Sequence, residues 1–183
     1  QISGGTVYES DLASGSNASG TREQASGSFT VNTRGEGGTV TIGNPDGEHV
    51  TLMLNTDGTL SSASANSFTT AAGSTVAITG VTVTNSTTTI SYAYTLNTAQ
   101  AHSSQGADSI SENIAISVAD GTGDVATGTL AVTVGDDVPE TRSDFDRAVE
   151  NTNTPVSGNV LANDEYGADG KSATDSFHWN ETS

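Results

Sequence analysis

Short runs in which apolar and polar residues alternate recur along most of the chain, and they constrain the fold more than any other feature. A period of two residues is typical of a strand that buries one face. No window keeps a helical period for more than about two turns, and the abundant Thr and Val residues have stiff side chains that favour strands. The sequence therefore predicts an all-β fold. The alternating runs are residues 28–31, 39–42, 50–54, 75–78, 81–83, 90–96, 114–118 and 130–134.

The clearest pair of runs is 114–118 and 130–134, joined through the sequence Asp120-Gly121-Thr122-Gly123-Asp124. Gly and Asp are common turn residues, so this segment predicts a β-hairpin. Its inward faces are expected to hold Ile114, Ile116, Val118, Leu130, Val132 and Val134. About seven short strands, separated by turn signals within residues 1–137, predict a two-sheet, immunoglobulin-like β-sandwich.

A domain boundary is predicted at Gly135-Asp136-Asp137-Val138-Pro139, where a strand ends in two acids and a proline that cannot donate to a ladder. Residues 138–183 are fewer than half of the roughly 100 residues of a sandwich module. We expect them to form a linker and an incomplete second β segment. The chain opens at Gln1 without a start methionine or an export signal, so we expect it to be a piece of a longer protein.

The charge of the chain excludes several classes of partner. Its 22 acidic side chains against 5 basic ones give a formal net charge of -17, which repels phosphate backbones and anionic lipid. No apolar run approaches the roughly 20 residues that span a bilayer, and the absence of cysteine excludes disulfides and thiolate metal sites. We therefore expect no nucleic acid, no membrane insertion, and cations as the natural partners.

Acidic side chains concentrate at the predicted strand ends and connections, in two groups. Glu9 and Asp11 flank the first strand, and Asp120 and Asp124 bracket the turn of the last hairpin. In an antiparallel sandwich this turn lies at the pole where the chain enters, so we expect Glu9, Asp120 and Asp124 to meet there. The opposite pole is expected to bring together acids and amides of both segments: Asp136, Asp137, Glu150, Asn163, Asp164 and Asp169.

Carboxylate and amide oxygens on short loops are the ligands of a hard cation such as calcium, which takes six to eight oxygens at about 2.3–2.6 Å. A divalent ion would also remove the repulsion between clustered acids. The sequence therefore predicts Ca2+ at the junction of the two segments, although no EF-hand loop is present. The alternative is that these acids only solvate the surface, and for any single residue the sequence leaves that alternative open.

Signals for catalysis are weak. The three histidines, His49, His102 and His178, are too far apart in sequence for a His-x-x-x-His metal site, and no Gly-x-Ser-x-Gly motif is present. His102 is expected in a loop after the strand at 90–96. Paired carboxylates of the glycosidase type remain open. Aromatic residues to line a sugar cleft are few, so we predict that the chain is not an enzyme.

Six strings of the first segment carry a family resemblance: residues 7–12, 25–31, 90–96, 99–102, 114–120 and 128–139. Together they resemble the repeated extracellular modules of giant bacterial RTX adhesins that the type I system secretes. In the second segment, residues 151–164 are similar to the opening of a cadherin-like or VCBS-type repeat. One departure is the turn at 120–124, which lacks one carboxylate of the family's Asp-x-Asp-Gly-Asp pattern.

The resemblance implies an immunoglobulin-like or cadherin-like sandwich that serves as a non-enzymatic, calcium-stabilised spacer or scaffold for cell adhesion and biofilm formation. It also implies an extracellular location on the bacterial cell surface and neighbouring modules of the same adhesin as partners. Calcium would bind at the module junctions, with the acids named above as ligands. A second interpretation is that the module itself binds a host or biofilm glycan or protein, through polar loops or the Thr-rich run 82–89.

Overall fold

The computed structural model describes residues 1–104, 106, 108–147, 149–150 and 155–171. Within this part of the chain there are ten strands and one short 3-10 helix, Glu9–Asp11, which directly follows the first strand. The strands are β1 (Ile2–Tyr8), β2 (Gln24–Val31), β3 (Gly38–Gly43), β4 (His49–Leu54), β5 (Leu60–Ala63), β6 (Ser67–Thr69), β7 (Thr75–Thr84), β8 (Thr87–Thr95), β9 (Ser109–Asp120) and β10 (Val125–Gly135). No helix among these residues has the length and apolar character needed to span a bilayer.

The strands form two sheets, and the prediction of an all-β sandwich is confirmed. One sheet has six strands in the order β1-β10-β9-β3-β4-β5, and the other has four in the order β2-β8-β7-β6. Apolar side chains of both sheets form one buried core. Its most deeply buried members include Val40, Leu52, Ile90, Tyr92 and Leu130.

The hairpin predicted from the sequence is β9–β10. Ile114 is paired with Leu130, and the backbone N–H of Asp120 closes the turn by donating to the carbonyl of Asp124 at 3.0 Å. Of the six residues expected to face inward, five are buried and Val118 is half-buried. The alternation located the buried face because successive side chains of a strand point to opposite sides of the sheet.

Two regions differ from the sequence-based expectation. Residues 75–78 and 81–83 belong to one strand, β7, which carries a register irregularity between Ile78 and Gly80. No alternating run in the sequence predicts β5 or β6. β5 is exposed along its whole length, so it has no buried face to alternate with an exposed one. β6 has only three residues, which is too short for an alternating pattern to be recognised.

Tyr94 connects the two sheets. It lies on β8 in the four-stranded sheet, and its side chain is fully buried. Its hydroxyl group is hydrogen-bonded to the carboxylate of Glu112 on β9 and to the hydroxyl group of Ser74, at 2.7 Å from the latter. Burial and the bond to Glu112 raise the pKa of Tyr94, so the phenol remains protonated and holds a polar link across an apolar core.

β1 pairs with β10 in parallel, whereas the other described strand pairs are antiparallel. Tyr8 lies opposite Gly135 in this pairing. The first and last strands of the sandwich therefore end at the same pole. Glu9 and Asp136, each the next residue along its chain segment, start from neighbouring positions there.

Between residues 138 and 171, the described residues form only one isolated β-bridge, in which Glu140 and Glu165 exchange backbone hydrogen bonds of 2.9 Å. The stretch returns to the sandwich at Ala168, whose carbonyl accepts a hydrogen bond from the hydroxyl group of Ser14 at 3.3 Å. The division at residue 137 into a complete module and an incomplete second segment stays a prediction. Residues 151–154 and 172–183 of that second segment lie outside the described residues.

Candidate metal centre

The pole at which β1 and β10 end carries a group of acids around one histidine. We call it the Glu9 pole, and we call the other end, with the turn at 120–124, the hairpin pole. The Glu9 pole is built from the helix Glu9–Asp11, the loop between β8 and β9, the residues after β10, and the returning stretch 166–170. These segments are distant in sequence, and the parallel pairing of β1 with β10 brings the first and third of them together.

Glu9 is fully buried, with 0% of its surface exposed. Its Oε1 atom accepts a hydrogen bond from the backbone N–H of Gln100 at 2.6 Å, while Oε2 is buried and has no hydrogen-bond partner among the described residues. Burial raises the pKa of Glu9 above its usual value, against the opposing effects of the Gln100 amide and of His102, and the negative charge of Asp169 raises it further. Oε2 of Glu9 therefore lacks a partner, and a bound cation or a proton would supply one.

His102 lies beside Glu9, in the loop after β8 as the sequence predicted. Only 4% of its side chain is exposed, and both ring nitrogens face carboxylates. Nδ1 lies 2.5 Å from Oδ1 of Asp108, and Nε2 lies 3.3 Å from Oε1 of Glu9. Burial alone would lower the pKa of His102, but the hydrogen bond to Asp108 and the charges of Glu9 and Asp136 outweigh it and raise the pKa.

Glu9, His102 and Asp136 form a compact set that we call the Glu9 cluster. One oxygen of Glu9, one ring nitrogen of His102 and one carboxylate oxygen of Asp136 all lie within 4.8 Å of one another. The backbone N–H of Asp136 also donates to the backbone carbonyl of Asp108 at 3.1 Å. Like charges at this separation disfavour the ionised forms unless a cation lies among them. The cluster is therefore suited to hold either a proton on the imidazole or a metal ion.

Asp137, also predicted as a ligand, is buried next to this cluster. Its Oδ1 accepts from the hydroxyl group of Ser16 at 2.5 Å, and its Oδ2 accepts from the backbone N–H of Ser16 at 2.8 Å. Gly167 of the returning stretch approaches the backbone of Asp137 so closely that an added Cβ would lie 2.3 Å from its carbonyl oxygen. Asp137 thus holds the loop that contains Ser16, and its backbone packs closely against Gly167.

Asp11 has a different role from the predicted one. Its carboxylate accepts from the Nη2 group of Arg22 at 2.9 Å, from the backbone N–H of Arg22 at 2.8 Å and from the side chain of Asn17 at 3.0 Å. These bonds, led by those from the Arg22 side chain, hold the pKa of Asp11 well below its usual range. Both oxygens are already occupied by hydrogen-bond donors, so we leave Asp11 out of the candidate cation site.

The expectation that Glu9 meets Asp120 and Asp124 is wrong. The latter two lie at the hairpin pole, because β1 runs parallel to β10 and carries Glu9 to the other end of the sandwich. Asp120 is engaged in its own turn, where Oδ1 accepts from the backbone N–H groups of Thr122 and Asp124 at 3.1 and 2.9 Å. Desolvation opposes its charged form, but these hydrogen bonds lower the pKa of Asp120 overall.

Some predicted ligands of the second segment lie near the Glu9 cluster and others do not. Asp169 is close enough to Glu9 for its charge to act on that carboxylate. Asp164 instead accepts from the backbone N–H of Arg142 at 2.8 Å, and Asn163 donates to the carbonyl of Ser143 at 3.4 Å. Glu150 is exposed. Of these four, only Asp169 is connected to the Glu9 cluster.

Sequence reasoning missed His102 and Asp108 as members of the site. Nothing in the spacing of His102 links it to Glu9, because the two residues are 93 positions apart in the chain. The available signal was compositional: a histidine six residues before an aspartate, in a loop between two strongly patterned strands. That pattern alone does not distinguish a ligand from a solvated loop.

The donors at this pole fit a divalent cation in part. Glu9 and Asp136 supply carboxylate oxygens, Asp169 lies nearby, and the unpartnered Oε2 of Glu9 is an acceptor without a donor. Calcium binds to such oxygens. The imidazole nitrogen of His102 is a donor for zinc and other transition metals and not for calcium. A calcium ion here would rely on the carboxylates alone.

No protein family matches the sequence, and neither curated proteins nor solved structures gave a match. The geometry of the Glu9 pole and the residues themselves therefore carry the functional argument.

Proposed function

We propose that the protein is a non-enzymatic, calcium-stabilised module of a large extracellular bacterial adhesin, where it acts as a spacer or scaffold. The observation that carries the proposal is the buried carboxylate of Glu9, which has one unpartnered oxygen and sits beside Asp136 and the charge of Asp169. A buried carboxylate oxygen without a hydrogen-bond partner is costly. A divalent cation at this place would remove that cost.

The residues that would hold the ion come from three parts of the chain. Glu9 follows the first strand, Asp136 follows the last strand, and Asp169 belongs to the returning stretch. An ion bound by all three would connect the sandwich to the second segment. Loss of the ion would leave that connection to hydrogen bonds such as the one from the hydroxyl group of Ser14 to the carbonyl of Ala168. This arrangement suits a spacer whose stiffness depends on calcium.

The proposed extracellular location is supported by the calcium affinity that is usual for sites of this kind. Calcium sites in extracellular modules bind at about 10⁻⁴ to 10⁻³ M. A ligand present at ten times its Kd stabilises the folded state by about 1.4 kcal/mol. Such a site would be filled outside a cell and empty in cytosol, so the module would gain its full stability after secretion.

The non-enzymatic part of the proposal is supported by the position of His102. Its side chain is 4% exposed and both of its nitrogens face carboxylates. A general base must reach a substrate at hydrogen-bond distance, and His102 is enclosed by its own protein. The site is therefore better suited to hold an ion than to transform a substrate.

Thermal melts of the chain in millimolar calcium and in excess EDTA test the proposal. We expect the melting temperature to fall on chelation for the wild-type protein and to change little for Glu9→Gln. Asp124→Asn, at the hairpin pole, is the matched control and should respond to chelation as the wild type does. Superimposable wild-type melts in calcium and EDTA would contradict the proposal. A glycan array run in calcium would identify a receptor role in place of a spacer role if it shows specific binding.

A further inference from the structure

We infer that Glu9, His102 and Asp136 form a binding site for a zinc-type divalent transition-metal ion. This goes beyond the proposed function, because it concerns the imidazole nitrogen, which calcium does not use. The zinc site shares Glu9 and Asp136 with the proposed calcium site, so the two ions would compete at this pole. The three donors are one nitrogen and two carboxylate oxygens, all within 4.8 Å of one another. Zinc binds to such a mixed set of His and Asp or Glu ligands.

The distance between two of the donors fits zinc. Nε2 of His102 lies 3.3 Å from Oε1 of Glu9. Two donors that each lie about 2.0–2.1 Å from a tetrahedral zinc ion are about 3.3 Å apart. A deprotonated Nε2 facing a carboxylate oxygen without an ion between them would place two lone pairs against each other, so this approach favours a cation at that point.

The groups that hydrogen-bond to His102 and Glu9 are also typical of a metal site. Nδ1 of His102 lies 2.5 Å from Oδ1 of Asp108, and a carboxylate at this place favours a proton on Nδ1. In the neutral form with that proton, Nε2 would present its lone pair to the side of Glu9. Metal-binding histidines almost always donate their second N–H to such a carboxylate or carbonyl. The backbone N–H of Gln100 orients Glu9 in the same way, at 2.6 Å from its Oε1.

A second and independent observation points to a ligand. Glu9 is 0% exposed, and its Oε2 has no hydrogen-bond partner among the described residues. A buried carboxylate oxygen without a donor is rare in folded proteins because its desolvation is not compensated. A zinc ion bound by both oxygens of this carboxylate would supply the missing interaction to Oε2.

The rival explanation is a protonated His102. An imidazolium ion has two N–H donors and would satisfy both Asp108 and Glu9 without any metal. The two explanations differ in one respect: zinc must displace the proton on Nε2, so it binds at neutral pH only if the cluster prefers the metal. A cluster that is already satisfied by the proton would take up no zinc.

Calorimetric titration of metal-free protein with Zn2+ at pH 7.5 distinguishes them. We expect one bound ion for the wild type, loss of that binding in His102→Ala, and a roughly 10- to 100-fold weaker affinity in Asp108→Asn, the usual effect of removing the orienting partner of a metal ligand. His49→Ala, on β4, is the matched control that should bind zinc as the wild type does. Wild-type protein that binds no zinc, or His102→Ala that binds it undiminished, would overturn the inference.

A measurement on the unmodified chain covers the case in which His102→Ala does not fold. X-ray absorption of the zinc-loaded wild type should show one imidazole and oxygen donors at about 2.0–2.2 Å, and a spectrum without imidazole would overturn the inference. Because EDTA also removes zinc, the calcium response is measured here on metal-free protein with and without added calcium, and that measurement fails or succeeds separately. Zinc binding without a calcium response would leave this inference standing and remove the proposed function, and a calcium response without zinc binding would do the reverse.

Discussion

Glu9 and Asp136 lie together at one end of the sandwich because the strands that precede them run parallel, with Tyr8 opposite Gly135. This relationship makes the acidic pole possible. A carboxylate that directly follows the first strand meets one that directly follows the last strand. His102 then lies between them and Asp108, so that one imidazole faces several negative groups.

Glu9→Gln should change the response of the protein to calcium. The substitution removes the buried charge but keeps an acceptor for the Gln100 amide, so we expect the variant to be at least as stable as the wild type in EDTA. In calcium it should lack the wild-type gain of about 1.4 kcal/mol, which corresponds to about 3–6 °C in a chain of this size. Melting curves in both buffers provide the measurement. A calcium gain equal to that of the wild type would exclude Glu9 as a ligand.

Asp11→Asn should destabilise the protein and reduce its sensitivity to acid. Removing a hydrogen-bonded charge of this kind costs about 1.5–3 kcal/mol. The folded pKa of Asp11 is lowered, so its contribution is fully present above the unfolded value of about 3.9 and is lost as the pH falls through the folded pKa. Urea unfolding at pH 7 and pH 3 should show a smaller difference from the wild type at pH 3. Asp46→Asn, on an exposed turn, is the control, and an equal loss in both variants would contradict the assignment.

Tyr94→Phe should cost about 1–3 kcal/mol, because it leaves the buried hydroxyl group of Ser74 and the carboxylate of Glu112 without their shared partner. Tyr92→Phe is a matched control on the same strand. Among the described residues, the hydroxyl group of Tyr92 makes one long hydrogen bond, of 3.4 Å, to the carbonyl of Ser3, so its removal should have a much smaller effect. Denaturant unfolding of both variants tests this order, and the reverse order would show that Tyr94 does not connect the sheets as described.

Gly4→Ala should weaken the pairing of β1 with β10. An added Cβ at Gly4 would lie 2.6 Å from Cγ2 of Val132 and 2.8 Å from the carbonyl oxygen of Ala131, and such overpacking costs about 1–3 kcal/mol. Gly128→Ala, on β10, is the control because a Cβ there meets nothing within 4 Å. Hydrogen exchange should show faster opening of β1 in Gly4→Ala alone. Unchanged protection would mean that the strand can shift to accept the methyl group.

The parts of the fold that followed from the sequence are those in which local pattern and tertiary burial agree. Ile114 and Leu130 were placed on facing strands because the alternation of each run marks its buried side and the turn between them is short. β5 could not be found in this way. It is exposed along its whole length, so its pairing with β4 leaves no trace in the order of apolar residues.

The sequence predicted several acids that lie at the Glu9 pole but not how they are arranged; the calcium itself stays a prediction. The sequence predicts that Asp136 and Asp169 meet at one pole and that Glu9 lies at the other, with the turn of the last hairpin. The parallel pairing of β1 with β10 joins strands that are far apart in the sequence, and no local residue pattern predicts it. For the same reason His102 could not be connected to Glu9: their contact depends on how the loop after β8 folds over the end of β1.

The most direct test of the central claim is anomalous diffraction from crystals grown in millimolar calcium. We predict a peak at the Glu9 pole, bonded to carboxylate oxygens of Glu9 and Asp136 at about 2.3–2.6 Å. A map with no peak at that pole, in which Glu9 is instead paired with a protonated His102, would contradict the account.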